Sequence, residues 1–463
     1  MLWFRRDLRL HDHPALVQAS TTADEVVPLF VVDPRLWDQA GPPRREYLRR
    51  SLEALDRSIG GHLVVRRGDP QTVLAGLVRE TDVSTVHISA DAAPYGAARD
   101  RAVEQALAAV GADLRRTGSP YAVTPGRVRK DDGSPYRVYT PFYRAWCQHG
   151  WRPPAPLPDT AWAEGVPGDG IPARQVGRDG DDLPSLPAAG EQAAMDRWLS
   201  FVDAGLNHYA DDRDRPDLPS TSGLSVHLRF GEIHPRTLLH RLGPAHERLA
   251  KPLEVFRKEL AWREFYADVL YHHPHTAHDY YRSEFAGMPY DTGPEADRRL
   301  EAWQRGLTGY PLVDAGMRQL LAEGWMHNRV RMVVASFLVK DLHLEWQQGA
   351  EWFMRHLVDG DVASNAHGWQ WTAGCGTDAA PYFRVFNPVA QGRRYDPDGS
   401  YVRRYVPELD HVAGPSVHEP WSVDDGHARG YPAPIVDHGA ERLEALARYD
   451  LVKGARGTDS YQS

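Results

Sequence analysis

Residues 26–69, "VVPLFVVDPRLWDQAGPPRREYLRRSLEALDRSIGGHLVVRRGD", decide the fold of the first part of the chain. Two short runs rich in β-branched residues, "VVPLFVVD" (26–33) and "GHLVVRRGD" (61–69), flank a stretch of helical periodicity, "RREYLRRSLEALDRSI" (44–59). The alternation continues outward. "PQTVLAGLVRE" (70–80) reads as a second helix, "VSTVHISAD" (83–91) as a third strand, and "LWFRRDLRL" (2–10) as the first strand with its exit. Strand alternating with helix implies a doubly wound α/β unit, a parallel sheet covered on both faces. The region holds no GxGxxG, so a Rossmann-type dinucleotide site is not supported.

At 463 residues the chain exceeds one comfortable core and predicts two or three domains. With 42% hydrophobic and 25% charged residues it is globular rather than disordered. No apolar run approaches a membrane span, and the opening "MLWFRRDLRLHD" lacks the apolar core of a signal peptide. Two cysteines, Cys147 and Cys375, suit a reducing cytoplasm better than a disulfide framework. A net charge of −9 argues against coating by nucleic acid but leaves room for a local basic face.

Residues 151–190 break the pattern: fourteen of forty are Gly or Pro, and "GRDGDD" gives the stretch an acidic end. This is an irregular connector. Beyond it helical periodicity dominates, in "PLEVFRKELAWREFYADVLYHH" (252–273), "PLVDAGMRQLLAEG" (311–324), "GWMHNRVRMVVASFLVKDL" (324–342) and "EWFMRHLVDGDVASNAHG" (351–368). Three of these helices carry stripes a simple core would not need. Glu259, Trp262 and Arg263 fall at i, i+3, i+4, as do Asn328, Arg331 and Met332; Asp361, Asn365 and Trp369 fall at i, i+4, i+8. Any one stripe is usually core or cap, but three polar-aromatic faces in one domain predict an enclosed planar, hydrogen-bonding ligand.

"WFRRDLRLHDHPAL" (3–16), "ELAWREFY" (259–266), "TGYPLVDAGMRQL" (308–320), "GWMHNRVRMVVASFLVKDL" (324–342) and "DGDVASNAHGWQWTAGCGTDAAPYFRVFNP" (359–388) resemble the photolyase/cryptochrome family. Within it the resemblance is closest to the class I cyclobutane pyrimidine dimer (CPD) DNA photolyases. It implies an α/β antenna domain over 1–128, a linker over 129–190 and a large all-α FAD-binding catalytic domain over 191–463. The implied activity is a carbon–carbon lyase reaction: light-driven repair of CPDs by electron transfer from photoexcited FADH⁻ to a dimer flipped out of single- or double-stranded DNA. A monomeric, cytoplasmic protein goes with it.

The resemblance also assigns residues. Tyr209 matches a position near the FAD phosphates, and Thr221, Ser222, Gly223, Leu224 and Ser225 match the phosphate loop, whose hydroxyls and N–H groups suit phosphate oxygens. Arg331 and Asp359 match an ion pair bordering the isoalloxazine, and Asp361 a carboxylate beside it; Arg263 and Asn328 match further cofactor positions. Asn365 matches the residue facing flavin N5, where a neutral amide accepts a bond without adding negative charge beside a reduced flavin. The lesion falls to Glu259, Trp262, Asn328, Arg329, Met332, Trp371 and Gln391, with Arg213 facing DNA and Arg384 and Arg393 extending a basic face. Met332 points to the dimer-splitting rather than the (6-4) form.

Trp369 and Trp346 match the inner members of the family's electron-passing chain. Its outer tryptophan is replaced by Tyr290 in "GMPYDTGPEADRRLEAW", with Trp303 an alternative branch. For the antenna chromophore, "RREYL" and "SADAAPYGAARDR" favour 8-hydroxy-5-deazaflavin over the folate MTHF, through Arg44, Asp91 and Arg99, residues for which sheet-edge and helix-surface roles are equally open. No metal is implied. Two rivals are a cryptochrome-like blue-light photoreceptor without repair activity and a flavoprotein that keeps only the fold.

Overall fold

In the computed structural model, residues 1–175, 183–243, 250–377 and 383–459 are described, so the acidic "GRDGDD" stretch lies outside the described residues. The chain forms two compact units. The first comprises Met1–Ala210, Ser222–Pro274 and Val358–Ala363; the second comprises Asp211–Thr221, His275–Leu357 and Ser364–Ser463.

The first unit is built on a five-stranded parallel sheet: β1 (Leu2–Phe4), β2 (Pro28–Val32), β3 (Val64–Arg67), β4 (Thr85–Ile88) and β5 (Asp113–Arg116), in the order β3-β2-β1-β4-β5. Side chains alternate across it. Leu2, Phe4, Phe30 and Val32 pack with Leu16, Tyr47, Leu52 and Leu55 on one face. Trp3, Leu29, Val31, Val86 and Ile88 pack with Leu74, Leu77, Val103 and Leu107 on the other. Both faces are covered by helices, as the alternation of patterns requires. β5 carries no apolar run ("DLRR"), because only Leu114 faces inward at this edge; periodicity could not find it.

The connector shields the opposite edge. Asp169 N donates to Val65 O at 2.7 Å and Asp169 Oδ2 accepts from Arg67 N at 2.7 Å, so an otherwise open strand edge is capped. Gly168 makes the fit close there, since a Cβ would stand 3.1 Å from Val65 O. Glu264 and Asp268, one turn apart on the Ala250–His272 helix, hold the chain after β5: Glu264 accepts from Ala122 N, from Val123 N at 3.0 Å and from Trp146 Nε1 at 2.7 Å, and Asp268 accepts from Gly126 N at 2.6 Å.

The second unit is helical. Leu312, Val313, Met317 and Leu320 of Pro311–Glu323 share a core with Val330, Val333, Val334 and Phe337 of Asn328–Lys340. Gly316 permits that approach, because a Cβ would stand 2.4 Å from Val330 Cγ1. One expectation is corrected. The 351–368 run is not a single helix: Trp346–His356 ends, residues 357–361 are extended or turning, and Val362–Ala373 begins anew. Asp361 therefore immediately precedes the helix that carries Asn365 and Trp369 instead of sharing its face. "VDGD" interrupts the helix with a glycine and two short acids, which favour turns and caps over helix interior.

Candidate functional site

In the first unit the parallel sheet has its switch point between β1 and β4, where ligands of such folds gather beyond the carboxyl ends of the strands. Arg5 and Arg6 leave β1 there, and Asp91 follows β4. Arg5 pairs with Asp100 at 2.6 Å. Arg6 reaches 355 residues along the chain to Asp361, Nη2 to Oδ2 2.5 Å. Arg229 Nε donates to Gly360 O at 2.7 Å, and the Arg44 guanidinium, drawn down to about 10 by burial, lies within the field of Asp359. The carboxylates of Asp359 and Asp361 are both buried. Three arginines thus support the 359–361 turn.

Asp91 and Arg99 form a looser pair, 3.4 Å, and Asp91 Oδ1 also accepts from Ala93 N at the start of the Pro94–Ala108 helix. Gly96 makes room for that carboxylate, as a Cβ would meet it at 2.1 Å. These two residues cap and brace a helix end, while Arg44 belongs with Asp359.

At the Ser222–Ser225 turn, Arg197 Nε donates to Ser222 O at 2.7 Å and Leu224 N to Ser222 Oγ at 3.4 Å. Gly223 has φ +64°, and a side chain there would stand 2.7 Å from Arg197 Nε. The turn holds hydroxyls and N–H groups beside a guanidinium, a donor set that fits a pyrophosphate. Tyr209 is buried edge-on against Phe201 and Phe256. Arg263 is committed to backbone, donating to Pro120 O at 3.1 Å and Leu228 O at 3.2 Å, with its plane over Tyr121. Glu259 and Trp262 lie on the same helix, both half-buried.

In the second unit His327 caps the Asn328–Lys340 helix, accepting from Arg329 N at 3.2 Å, and leaves Asn328 exposed at its first position. Arg329 pairs with Asp214 at 2.9 Å, covers Tyr395 at 4.6 Å and touches Met332 Sδ at 3.8 Å. Arg331 Nε holds Met326 O at 2.7 Å. Arg213 and Thr221 belong to the Asp211–Thr221 piece of this unit. Trp371 is half-buried, and Gln391 Oε1 is buried with no donor among the described residues. A buried acceptor without a donor is costly unless a ligand supplies one.

Asn365 Nδ2 donates to Ala350 O at 3.0 Å, which fixes the amide and leaves Oδ1 as its acceptor end. Trp369 is buried against Phe353 (5.0 Å) and Trp303 (6.1 Å). Gly349 lets this happen, since a Cβ would stand 2.1 Å from Trp369 Cη2. Trp346 meets Tyr280 edge-on at 6.2 Å, and Tyr280 donates to Glu345 Oε1 at 3.1 Å, with Tyr290 close by. Trp303 thus stands directly on Trp369, whereas Tyr290 stands one residue beyond Trp346's neighbour. Sequence reading missed Arg6, Arg229, Arg197, Asp214 and Tyr280. Arg6 and Asp361 each lie in a quoted motif, but no local period links residues so far apart.

The donor set at Ser222–Ser225 fits the pyrophosphate of a cofactor such as FAD, and the orphaned Gln391 oxygen suits a hydrogen-bonding ligand. Comparison with known proteins agrees. The family described as "DNA photolyase" matches residues 1–160, and "FAD binding domain of DNA photolyase" matches 256–451. A deoxyribodipyrimidine photo-lyase of Agrobacterium fabrum is 39% identical over 98% of each protein, and that of Escherichia coli is 36% identical over the same shares. Among solved structures, a bacterial class III photolyase from Agrobacterium tumefaciens superposes with a TM-score of 0.88 at 38% identity, covering 98% of this chain and 97% of that one. A Synechocystis cryptochrome gives 0.85 at 27%, covering 96% and 97%. Matched from end to end at these identities, the chain belongs to the DNA photolyase family, and its C-terminal half carries that family's FAD-binding domain.

Proposed function

We propose that this chain is a deoxyribodipyrimidine photo-lyase that splits cyclobutane pyrimidine dimers in DNA. The observation that carries the reading is the 39% identity across 98% of the chain to a protein of that name. Bound and reduced, FAD would supply the light-driven one-electron chemistry that opens the two cyclobutane C–C bonds. The protein's task is therefore to bind, orient and exclude water.

The turn at Ser222–Ser225, with Thr221, Tyr209 and Arg197, would hold the cofactor's phosphates; Arg263, Arg331, Asp359 and Asp361 would border its ring system, with Arg6 fixing Asp361 and Arg229 the Gly360 carbonyl between the two acids. Asn365, its Nδ2 spent on Ala350 O, would offer Oδ1 as an acceptor to the reduced flavin. Glu259, Trp262, Asn328, Arg329, Met332, Trp371 and Gln391 are the residues assigned to the dimer. The orphaned Gln391 oxygen matches an imide N–H of thymine. Trp369 passes electrons inward, supplied through Trp346 or Trp303. Residues 1–128 serve as an antenna domain for a deazaflavin, or alternatively a folate, through Arg44, Asp91 and Arg99, with 129–190 as linker. Damaged DNA is the partner, met by a monomer.

The test is direct. Reduced, flavin-bound protein is mixed with dimer-containing single- and double-stranded DNA under blue light, and restored thymines are counted. Repair in light and none in darkness is expected; bound flavin without repair overturns the reading in favour of a photoreceptor.

A further inference from the structure

The helix Tyr139–His149 lies within the 129–190 stretch expected to be linker. Its first residue, Tyr139, is 7% exposed, and its ring lies flat on the Trp262 indole, centroids 3.6 Å apart and planes 8° from parallel. Aromatic pairs usually sit offset or edge-on, with centroids about 4.5–7 Å apart. A separation this short leaves no room for a second ring on that side of the indole. Phe265 and Tyr266 flank Trp262 at 5.7 Å and 5.4 Å.

The phenol has a second hold. Tyr139 O–H donates to Lys258 O at 2.7 Å, the carbonyl of the residue just before Glu259. Burial first, and then the Glu259 carboxylate, push this phenol's pKa upward, so it remains a donor. One side chain therefore grips the ring of Trp262 and the backbone leading into Glu259.

We propose that Tyr139 is a positioning residue for damaged DNA, its ring holding Trp262 in the geometry that receives the dimer and leaving a single indole face for it. The inference rests on the assignment of Glu259 and Trp262 to the lesion. Its physical basis is preorganisation. An indole free to rotate must be ordered when the dimer binds, whereas one already clamped has no such freedom left to lose. Phosphate contacts do not depend on this clamp, so affinity for undamaged DNA does not either. The clamp acts on binding, not on electron transfer.

The experiment measures dark affinity of flavin-bound protein for a thymine-dimer oligonucleotide and for its undamaged twin, in Tyr139→Leu, Tyr139→Phe, Tyr139→Trp and Trp262→Ala. Tyr139→Leu removes the stack and should weaken dimer binding roughly three- to ten-fold with undamaged binding unchanged. Tyr139→Phe and Tyr139→Trp keep a stacked ring and should keep the preference for the dimer within about two-fold. Repair per absorbed photon at saturating DNA should not change in any Tyr139 variant. Equal loss for both oligonucleotides in Tyr139→Leu would make Tyr139 a general fold support and overturn the inference. So would loss of dimer preference in Tyr139→Phe or Tyr139→Trp, variants that remain informative if Tyr139→Leu does not fold. If Trp262→Ala binds the dimer normally, the lesion assignment itself fails, a result distinct from normal binding by Tyr139→Leu alone.

Discussion

Asn365 shows how much a single side chain can carry. Its Nδ2 is spent on Ala350 O, which dictates that the oxygen is the end left to interact. Asn365→Asp loses that donor and adds a negative charge, so the reduced cofactor is destabilised. The expected outcome is a lower reduction potential of the bound flavin and slower photoreduction; an unchanged potential would refute the role. Lys340 offers a different prediction. Its ammonium is buried, donates to Arg384 O at 2.5 Å and lies 4.2 Å from the Phe383 ring, with Asp341 and Cys375 as charged or titratable neighbours. Desolvation lowers its pKa to about 7, against 10.5 for the free side chain. Between those values the unfolded chain binds more protons than the folded one, so this group makes stability rise with pH from about 7 to 10.5 and contributes its full penalty below 7. Lys340→Met should flatten that rise, as read from thermal midpoints across the range.

At the scale of elements, short contacts between helices set the positions of the aromatic rings. Gly349 is the point where Trp346–His356 touches Trp369, and a methyl group there also meets Leu338 Cδ2 at 2.6 Å. Gly349→Ala gains up to ~1 kcal/mol in helix propensity but overpacks this contact at a cost of about 1–3 kcal/mol, for a net loss of up to about 2 kcal/mol. A lowered thermal midpoint with altered photoreduction is the expected pair of readouts. The helical periods of 311–324 and 324–342 are plain in the sequence because their apolar stripes face one continuous core. The 351–368 run misleads because its apolar spacing carries across "VDGD", where backbone chemistry stops the helix. β5 escaped for the opposite reason, since an edge strand with one inward residue has no period to see.

For the whole molecule, a net charge of −9 must be reconciled with binding a polyanion. Two of the arginines expected to face DNA are paired with acids: Arg329 with Asp214, and Arg393 with Glu419. A phosphate therefore has to displace a carboxylate at each. Affinity should fall with salt, and Asp214→Asn should tighten binding to damaged and undamaged DNA alike while steepening the log–log salt slope by roughly 0.7–0.9, the value of one phosphate contact. Titrations of both proteins over a salt series check this. A slope unaffected by the substitution would leave Arg329 without a phosphate.

What the sequence determined by itself is what local physics encodes. Period-two and period-3.6 patterning gave the parallel sheet and the helical half, and long motifs gave the family with the identities of Glu259, Trp262, Asn365 and Trp369. Only the tertiary structure decided who holds these residues in place. Arg6 meets Asp361 across 355 positions, Tyr139 lies on Trp262 across more than a hundred, and Gly349 makes room for Trp369. Such partners are joined by the way the chain returns on itself, and no spacing along the sequence records that return.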